Sequence, residues 1–262
     1  MNKVALIIPA HNEQDRIGKT LQTYCDYFNP SGLKVVSKPA LSRCEASYRR
    51  GNVLNVEFIV VLNACTDNTA DVVKEIAKHR ENITMLDFKQ CGKGFAITQG
   101  FRYALKTSAN FIGFVDADMA TSPHEFFKLI EQIKENDGII ASRYIPDSIV
   151  TPPRPLLKRW GSKLIYEPLV QLVLGLNYKD LQCGAKLFKR DVIEVVTNQL
   201  SEHHWAFDIE LLYLCKQYGF TIKEVPTVWH DQAASKLSTI FDGLRMLSSI
   251  LAIRKKHSSL RK

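Results

Sequence analysis

The sequence predicts an α/β fold: a mostly parallel sheet with helices on both faces. Three observations lead there. Short runs that are apolar throughout, such as Val4-Ala5-Leu6-Ile7-Ile8 and Phe111-Ile112-Gly113-Phe114-Val115, read as strands buried on both sides. Between them, apolar residues recur at helical spacing, as Ile17, Leu21, Tyr24 and Phe28 do. Polar clusters then stand directly after the apolar runs, at the strand ends where such sheets bind ligands.

The elements follow in chain order. Val4–Ile8 is the first strand, and the Ile17–Phe28 stripe marks the first helix. Residues 30–52 break the rhythm; Lys34, Lys38, Arg43, Arg49 and Arg50 stand against one acid, Glu45, so the segment reads as a basic surface insertion. Val56–Leu62 (VEFIVVL) is the second strand, and Val72, Val73, Ile76 and Ala77 mark the next helix. Ile83–Phe88 is a third strand, Phe95–Lys106 a helix and Asn110–Val115 the fourth strand. Ser122-Pro123-His124-Glu125 combines an N-cap serine, a proline at the first helical position and a glutamate three residues on, the pattern of a capping box. Gly138–Ser142 is a short fifth strand. Pro152-Pro153-Arg154-Pro155 blocks helix, and an apolar-rich helix is expected over 156–174. A short segment at 185–188, helices near 191–198 and 207–218, and a strand over 221–225 complete the reading. Residues 1–235 form one expected domain, and 236–262 an amphipathic helix with a basic tail.

The 262 residues suffice for one large domain with a sizeable core, and the formal charge of +8 calls for an anionic partner. No helix-turn-helix, RNP or zinc-finger pattern is present, so nucleic acid is not the expected one. None of the six cysteines forms a C-x-x-C pair, which fits a reduced, cytoplasmic chain better than a zinc ribbon. No apolar stretch approaches the roughly 18–20 residues of a membrane span, so any membrane role is expected at the surface.

The chemistry concentrates in Phe114-Val115-Asp116-Ala117-Asp118. Asp116 and Asp118 end a buried strand with one alanine between them. Two adjacent carboxylates repel, and a divalent cation removes that conflict; the alternative is a solvated strand end. Pro9-Ala10-His11-Asn12-Glu13 follows the first strand, with Pro9 expected to end pairing and Asn12 either reaching the crevice or starting the helix. In Asn63-Ala64-Cys65-Thr66-Asp67-Asn68-Thr69, Asp67 suits a helix cap or a ribose or base contact. Gly92-Lys93-Gly94 places a cation at a helix start, which suits an anion, although the spacing is not that of a P-loop. The four clusters are expected to share one crevice.

In this order and spacing the four motifs resemble the inverting glycosyltransferase family 2, whose fold is the Rossmann-like GT-A. Ser142-Arg143-Tyr144, Asp180–Phe188 (DLQCGAKLF), Trp205–Leu212 (WAFDIELL) and Glu224–Trp229 (EVPTVW) are similar to its dolichyl-phosphate β-glucosyltransferase branch. The resemblance implies transfer of a hexose from a nucleotide diphosphate sugar, UDP-glucose being favoured, to a polyprenyl phosphate. A saccharide hydroxyl is the alternative acceptor. It implies Mg²⁺ or Mn²⁺ held by Asp118, with Asp116 on the metal or the ribose. Pro9, Ala10, Asn12, Glu13, Asn63, Asp67 and Lys93 would line the nucleotide pocket, although Asn63 stands where many relatives carry aspartate. Arg143 and Lys186 match motif positions suited to the acceptor phosphate, and Arg154 and Arg159 are further candidate cations. Asp208 and Glu210 lie near where relatives with hydroxyl acceptors place a base; here they are read as orienting the sugar or Lys186.

The membrane expectation rests on the C-terminus. Ile240, Leu244, Leu247 and Leu251 share one helical face, widened by Phe241, Ile250 and Ile253, and Arg254, Lys255, Lys256, Arg261 and Lys262 follow without an acid. That pattern suits an interfacial helix beside anionic headgroups, or a helix packed on the domain with a solvated tail.

Overall fold

The computed structural model describes residues 3–29, 54–152, 167–204, 206–231 and 241–258, the side chains of 241–247 excepted. The basic insertion, Arg154, Arg159 and Trp205 lie outside the described residues.

The strands are β1 (Lys3–Ala10), β2 (Asn55–Asn63), β3 (Ile83–Phe88), β4 (Phe111–Phe114), β5 (Gly138–Ser142), β6 (Ile149–Thr151), β7 (Lys186–Lys189), β8 (Ile222–Pro226) and β9 (Val228–His230). The helices are α1 (Ile17–Phe28), α2 (Thr69–Ala77), α3 (Lys93–Ala104), α4 (Pro123–Gln132), α5 (Glu167–Leu174), α6 (Arg190–Val196), α7 (Phe207–Gln217) and α8 (Phe241–Lys256). Seven strands form the main sheet in the order β3-β2-β1-β4-β7-β5-β8, and β6 pairs with β9 beside it.

The continuous apolar runs form strands because both faces of the sheet are covered. Val4, Leu6 and Ile8 of β1 pack into one core with α1 and α4, including Leu21, Tyr24 and Phe126. Ala5 and Ile7 turn the other way, against Ala96, Phe101 and Phe207 of α3 and α7. Each fully buried Leu, Ile or Phe contributes about 1.5–3 kcal/mol of transfer free energy. Gly100 lets α3 press on β1, since a Cβ there would stand 2.6 Å from Ile7.

The strand register carries the first correction. Pro9 does not end pairing with β2: the register continues through Pro9↔Val61 to Ala10↔Leu62. On the other side β1 pairs with β4 only as far as Ile7↔Phe114. Ile7 points its carbonyl toward β4, where it accepts from the Val115 N–H (3.0 Å). Backbone groups two residues on point the same way, so the N–H that Pro9 lacks falls where β4 has already ended.

β7 is the second difference. It runs antiparallel between β4 and β5, while every other neighbouring pair of the main sheet is parallel. Strands of three residues, as in β6 and β9, are too short for a period-two pattern to announce them. The capping box is half realised: Ser122 Oγ accepts from Glu125 N (3.3 Å). The Glu125 carboxylate instead accepts from Val228 N (2.9 Å) and Lys128 Nζ (2.7 Å), tying α4 to β9.

The apolar stripe of α8 is corrected at two positions. Ile250 and Ile253 are buried in a third core, with Val170 and Leu174 of α5 and Ile209, Leu212 and Tyr213 of α7. They serve the domain and are not displayed, whereas Leu251 stays about half exposed. No helix among the described residues is long and apolar enough to cross a membrane. Lying between two cores, α7 is buried on every side from Phe207 to Cys215, its acids Asp208 and Glu210 included.

Candidate active site

The carboxyl ends of β1, β2 and β4 and the start of α3 meet in one crevice. With its amide oriented to satisfy both neighbours, Asn63 donates to Ala10 O (2.7 Å) and accepts from Gly92 N (3.1 Å). Asn12 Oδ1 accepts from Thr66 N (2.8 Å). Asp67 accepts from Gln14 N (3.2 Å) and from the backbone and hydroxyl of Thr69 (3.0 and 2.5 Å). Thr69 Oγ1 accepts in turn from Glu13 N (2.8 Å). Sharp turns make this convergence work: Asn12, Ala64 and Met119 adopt left-handed φ values of 54°, 53° and 62°, and Gly92 has φ 134°. Such backbone costs roughly 1–3 kcal/mol per non-glycine residue and persists only where the surroundings enforce it.

Lys93 Nζ pairs with Asp116 Oδ1 at 2.6 Å. Burial works against its charge, but the Asp116, Asp208 and Asp118 carboxylates outweigh that and hold its pKa above the ordinary lysine range. Asp118 accepts from Ala120 N (2.9 Å). Burial, and then the Asp116 charge, raises its pKa despite that bond and the nearby Arg16 and Lys93. Glu13 is raised too, first by burial and further by Asp118 and Asp116, against the Arg16 guanidinium that holds it at 2.6 Å. The crevice therefore contains more negative charge than its own cations neutralise comfortably.

No cluster of three or more His, Cys, Asp and Glu capable of holding a metal assembles among the described residues. The donor set fits a different arrangement: one or two carboxylates supplied by the protein, with phosphate oxygens and water completing the shell, as Mg²⁺ prefers. Burial first, and the Asp116 charge second, disfavour the charged form of Asp118, and a cation held there would offset both.

The second half of the chain treats its predicted residues differently. Lys186 is fully buried; its Nζ donates to Asp208 Oδ1 (2.5 Å) and Cys183 O (2.7 Å), and lies over the Phe114 ring. Its ammonium is thus engaged by an internal carboxylate and a backbone carbonyl. Asp208 takes the alternative role of counter-charge to Lys186. Arg143 grips Asp180 with Nε and Nη2 (2.7 and 2.8 Å) and stacks 4.9 Å from the Trp229 ring. Its planar fork is matched to an internal carboxylate, which removes it as an unengaged phosphate clamp. Asn63 is 3% exposed and ties strand ends together. Asn12 and Asp67 stay at the surface of the crevice, alongside Glu13, and Pro9 and Ala10 supply its floor as the end of β1.

Sequence reasoning missed three contributors. Arg16 sits one helical turn beyond Glu13, an ordinary spacing with no motif to flag it. Gly184 lies directly against Asp116: any Cβ would overlap Asp116 Oδ2. Its signal was present as the glycine of Cys183-Gly184-Ala185. His230 joins through its backbone, donating to Ala120 O (3.0 Å) beside the Asp118 turn.

These features agree with comparisons to known proteins. Glycosyltransferase AglD of Haloferax volcanii is 27% identical over 252 residues, covering 95% of this chain and 36% of that protein. The dolichyl-phosphate beta-glucosyltransferase of Dictyostelium discoideum is 29% identical over 262 residues, covering 96% of this chain and 73% of its own. The human protein of the same name is 28% identical over 270 residues, covering 97% and 76%. The chain thus spans about a third of the archaeal relative and about three quarters of the eukaryotic two. Among solved structures, glucosyl-3-phosphoglycerate synthase of Mycobacterium tuberculosis, in complex with Mn²⁺, UDP and phosphoglyceric acid, superposes with a TM-score of 0.62 at 17% identity. That match covers 96% of this chain and 77% of that one, and shows a shared fold. A complex of the same synthase with Mg²⁺ and UDP scores 0.62. A model of the family described as Glycosyl transferase family 2 matches residues 5–197. With its crevice of strand-end acids on a seven-stranded α/β sheet, the chain belongs to glycosyl transferase family 2.

Proposed function

We propose that the protein transfers a hexose, with inversion, from a nucleotide diphosphate sugar to a polyprenyl phosphate of the dolichyl type, and that the donor is UDP-glucose. The names of its eukaryotic relatives and the UDP complexes of its structural neighbours support this reading. The observation that carries the choice of acceptor is the buried Lys186–Asp208 pair. A hydroxyl acceptor needs a base to take its proton; a phosphate monoester, with a second pKa of about 6, is mostly dianionic near neutral pH and needs none. Here the carboxylate nearest the expected base position is held by an internal ammonium.

In this reading an acceptor phosphate oxygen attacks the anomeric carbon, the bond from that carbon to the diphosphate breaks, and the nucleoside diphosphate leaves with the electron pair. Asp116 and Asp118 would hold Mg²⁺ or Mn²⁺, which when bound supplies Lewis-acid neutralisation of the leaving diphosphate. Lys93 presents a cation to the same diphosphate from the start of α3, its position fixed by Asp116. Asn12, Glu13 and Asp67 border the nucleotide. Arg154 and Arg159, on the segment outside the described residues, are the remaining cations proposed for the acceptor phosphate.

A lipid acceptor brings the enzyme to a membrane surface. Leu172 on α5 is 84% exposed and Leu251 on the neighbouring α8 is 52% exposed, with Arg254, Lys255 and Lys256 in the last turn of α8. We assign these residues to peripheral contact with anionic lipid.

The test is turnover of UDP-glucose with a short polyprenyl phosphate, with and without Mg²⁺ or Mn²⁺, by the wild type and a Lys186→Gln/Asp208→Asn double variant. The double variant removes both charges together, so neither is left buried alone. Activity within about tenfold of wild type supports the phosphate acceptor. Complete loss in a folded double variant, or turnover only with saccharide hydroxyls, moves the assignment to the alternative acceptor.

A further inference from the structure

His257 follows α8 and is 2% exposed. It makes a specific polar contact: His257 Nε2 lies 2.8 Å from Glu210 Oε1 on α7. Glu210 is fully buried. Burial raises its pKa, but His257, Ser201 and the neighbouring backbone amides outweigh that and hold it below the ordinary glutamate value. As a carboxylate Glu210 only accepts, so Nε2 carries the proton and donates.

The other partners of Glu210 all belong to one loop. Oε2 accepts from the backbone N–H of Ser201 (2.8 Å) and of Glu202 (2.7 Å), and Oε1 also accepts from Ser201 Oγ (2.6 Å). The loop then leans on the turn that carries Lys93. Phe95 N donates to His203 O (3.2 Å), and Gln90 Nε2 contacts His203 Nδ1 (3.0 Å). Both glycines flanking Lys93 are needed for this approach. A Cβ on Gly92 would overlap His203 O, and one on Gly94 would stand 2.5 Å from Phe207 Cβ and 2.6 Å from Glu202 O. From Lys93 it is one ion pair, 2.6 Å long, to Asp116.

We propose that His257 and Glu210 are positioning residues for the donor site: they couple the C-terminal helix to the 201–204 loop, and through it fix the Gly92–Lys93–Gly94 turn that presents Lys93 to the donor diphosphate. The inference rests on the donor reading above. A buried carboxylate used at four hydrogen bonds is a rigid joint, because releasing any partner leaves a desolvated charge under-satisfied. The His257–Glu210 contact therefore acts on the crevice without touching it.

The experiment uses the full chain and three variants: His257→Ala, His257→Gln, whose amide can still donate to Glu210, and Ile253→Ala, which weakens the same helix by packing alone. Amide hydrogen exchange is followed at Ser201, Glu202 and Phe95, and UDP binding is measured by calorimetry with Mg²⁺. The relay predicts exchange at those three amides faster by about tenfold or more in His257→Ala, and UDP affinity weaker by about tenfold. His257→Gln recovers most of both losses, and Ile253→Ala lowers the melting temperature while leaving both readouts near wild type. Equal effects of His257→Ala and Ile253→Ala on exchange at Phe95 overturn it. If His257→Ala does not fold, Glu210→Gln replaces it, keeping size and one acceptor oxygen, and the same readouts decide. Should the wild type bind no UDP, the donor reading falls, and the exchange comparison alone supports or overturns the relay.

Discussion

The two halves of the crevice wall treat charge in opposite ways. At the ends of β1, β2 and β4 the acids Glu13, Asp116 and Asp118 gather, and Asp116 keeps 27% of its side-chain surface exposed. On the far side, Arg143–Asp180 and Lys186–Asp208 close on each other in the interior. The first half leaves its acids partly exposed, with Lys93 and Arg16 against three carboxylates; the second neutralises each charge in the interior. A charged residue in a motif thus carries no label saying which treatment it receives. Only tertiary pairing decides.

The comparison can be attacked at its strongest point first. Lys186→Met should destabilise by about 3–5 kcal/mol in urea unfolding, since it strands Asp208 as a buried charge. Adding Asp208→Leu should recover most of that loss. No loss in the single variant would mean the far side is not built on paired charges. Next, Asp118→Asn should lower turnover by about 10²–10³-fold. Its melting temperature should hold or rise, because burial and Asp116 disfavour the Asp118 charge in the folded protein. A parallel fall in stability would make Asp118 a structural acid like Asp208.

Gly184→Ala should cost about 10²-fold in kcat/KM by displacing Asp116, with a smaller effect on melting. The smallest effect is in acid. Burial raises the pKa of Asp180, but the Arg143 guanidinium outweighs it and depresses the folded value. That stability is fully present above the unfolded carboxylate pKa of about 4 and is lost as pH falls through the lower folded value. Urea midpoints measured from pH 6 downward should show the loss in wild type. In Arg143→Gln the protein should be weaker at pH 6, and the Asp180 share of the acid loss should vanish.

The sheet was legible because strands buried on both faces are apolar through their centres, as Val4–Ile8 of β1, Phe58–Leu62 of β2 and β4 are. The convergence of the strand ends was legible because polar clusters stood just past those strands. The burial of Lys186 was not legible for a physical reason: a lysine after Gly184-Ala185 has no local feature that distinguishes burial from exposure, and its partner Asp208 is distant in sequence. At Ile250 and Ile253 the sequence left packing and lipid contact open, since a face that packs on α5 and α7 has the same periodicity as one that meets lipid. The left-handed turns at Ala64 and Met119 were invisible, as neither residue type prefers that backbone.

The place of β7 bears on how the chain is made. Among the described residues, β5 and β8 join the rest of the sheet through β7, which pairs with β4 on one side and β5 on the other. During synthesis β4 therefore waits with an open edge while more than 70 residues emerge between Phe114 and Lys186. Until then no strand joins β5 to the β3-β2-β1-β4 layer, and the β4 edge is a template for pairing with another chain. Fragments ending before Lys186 should aggregate through that edge. Those ending after the β7–α6 unit should close it.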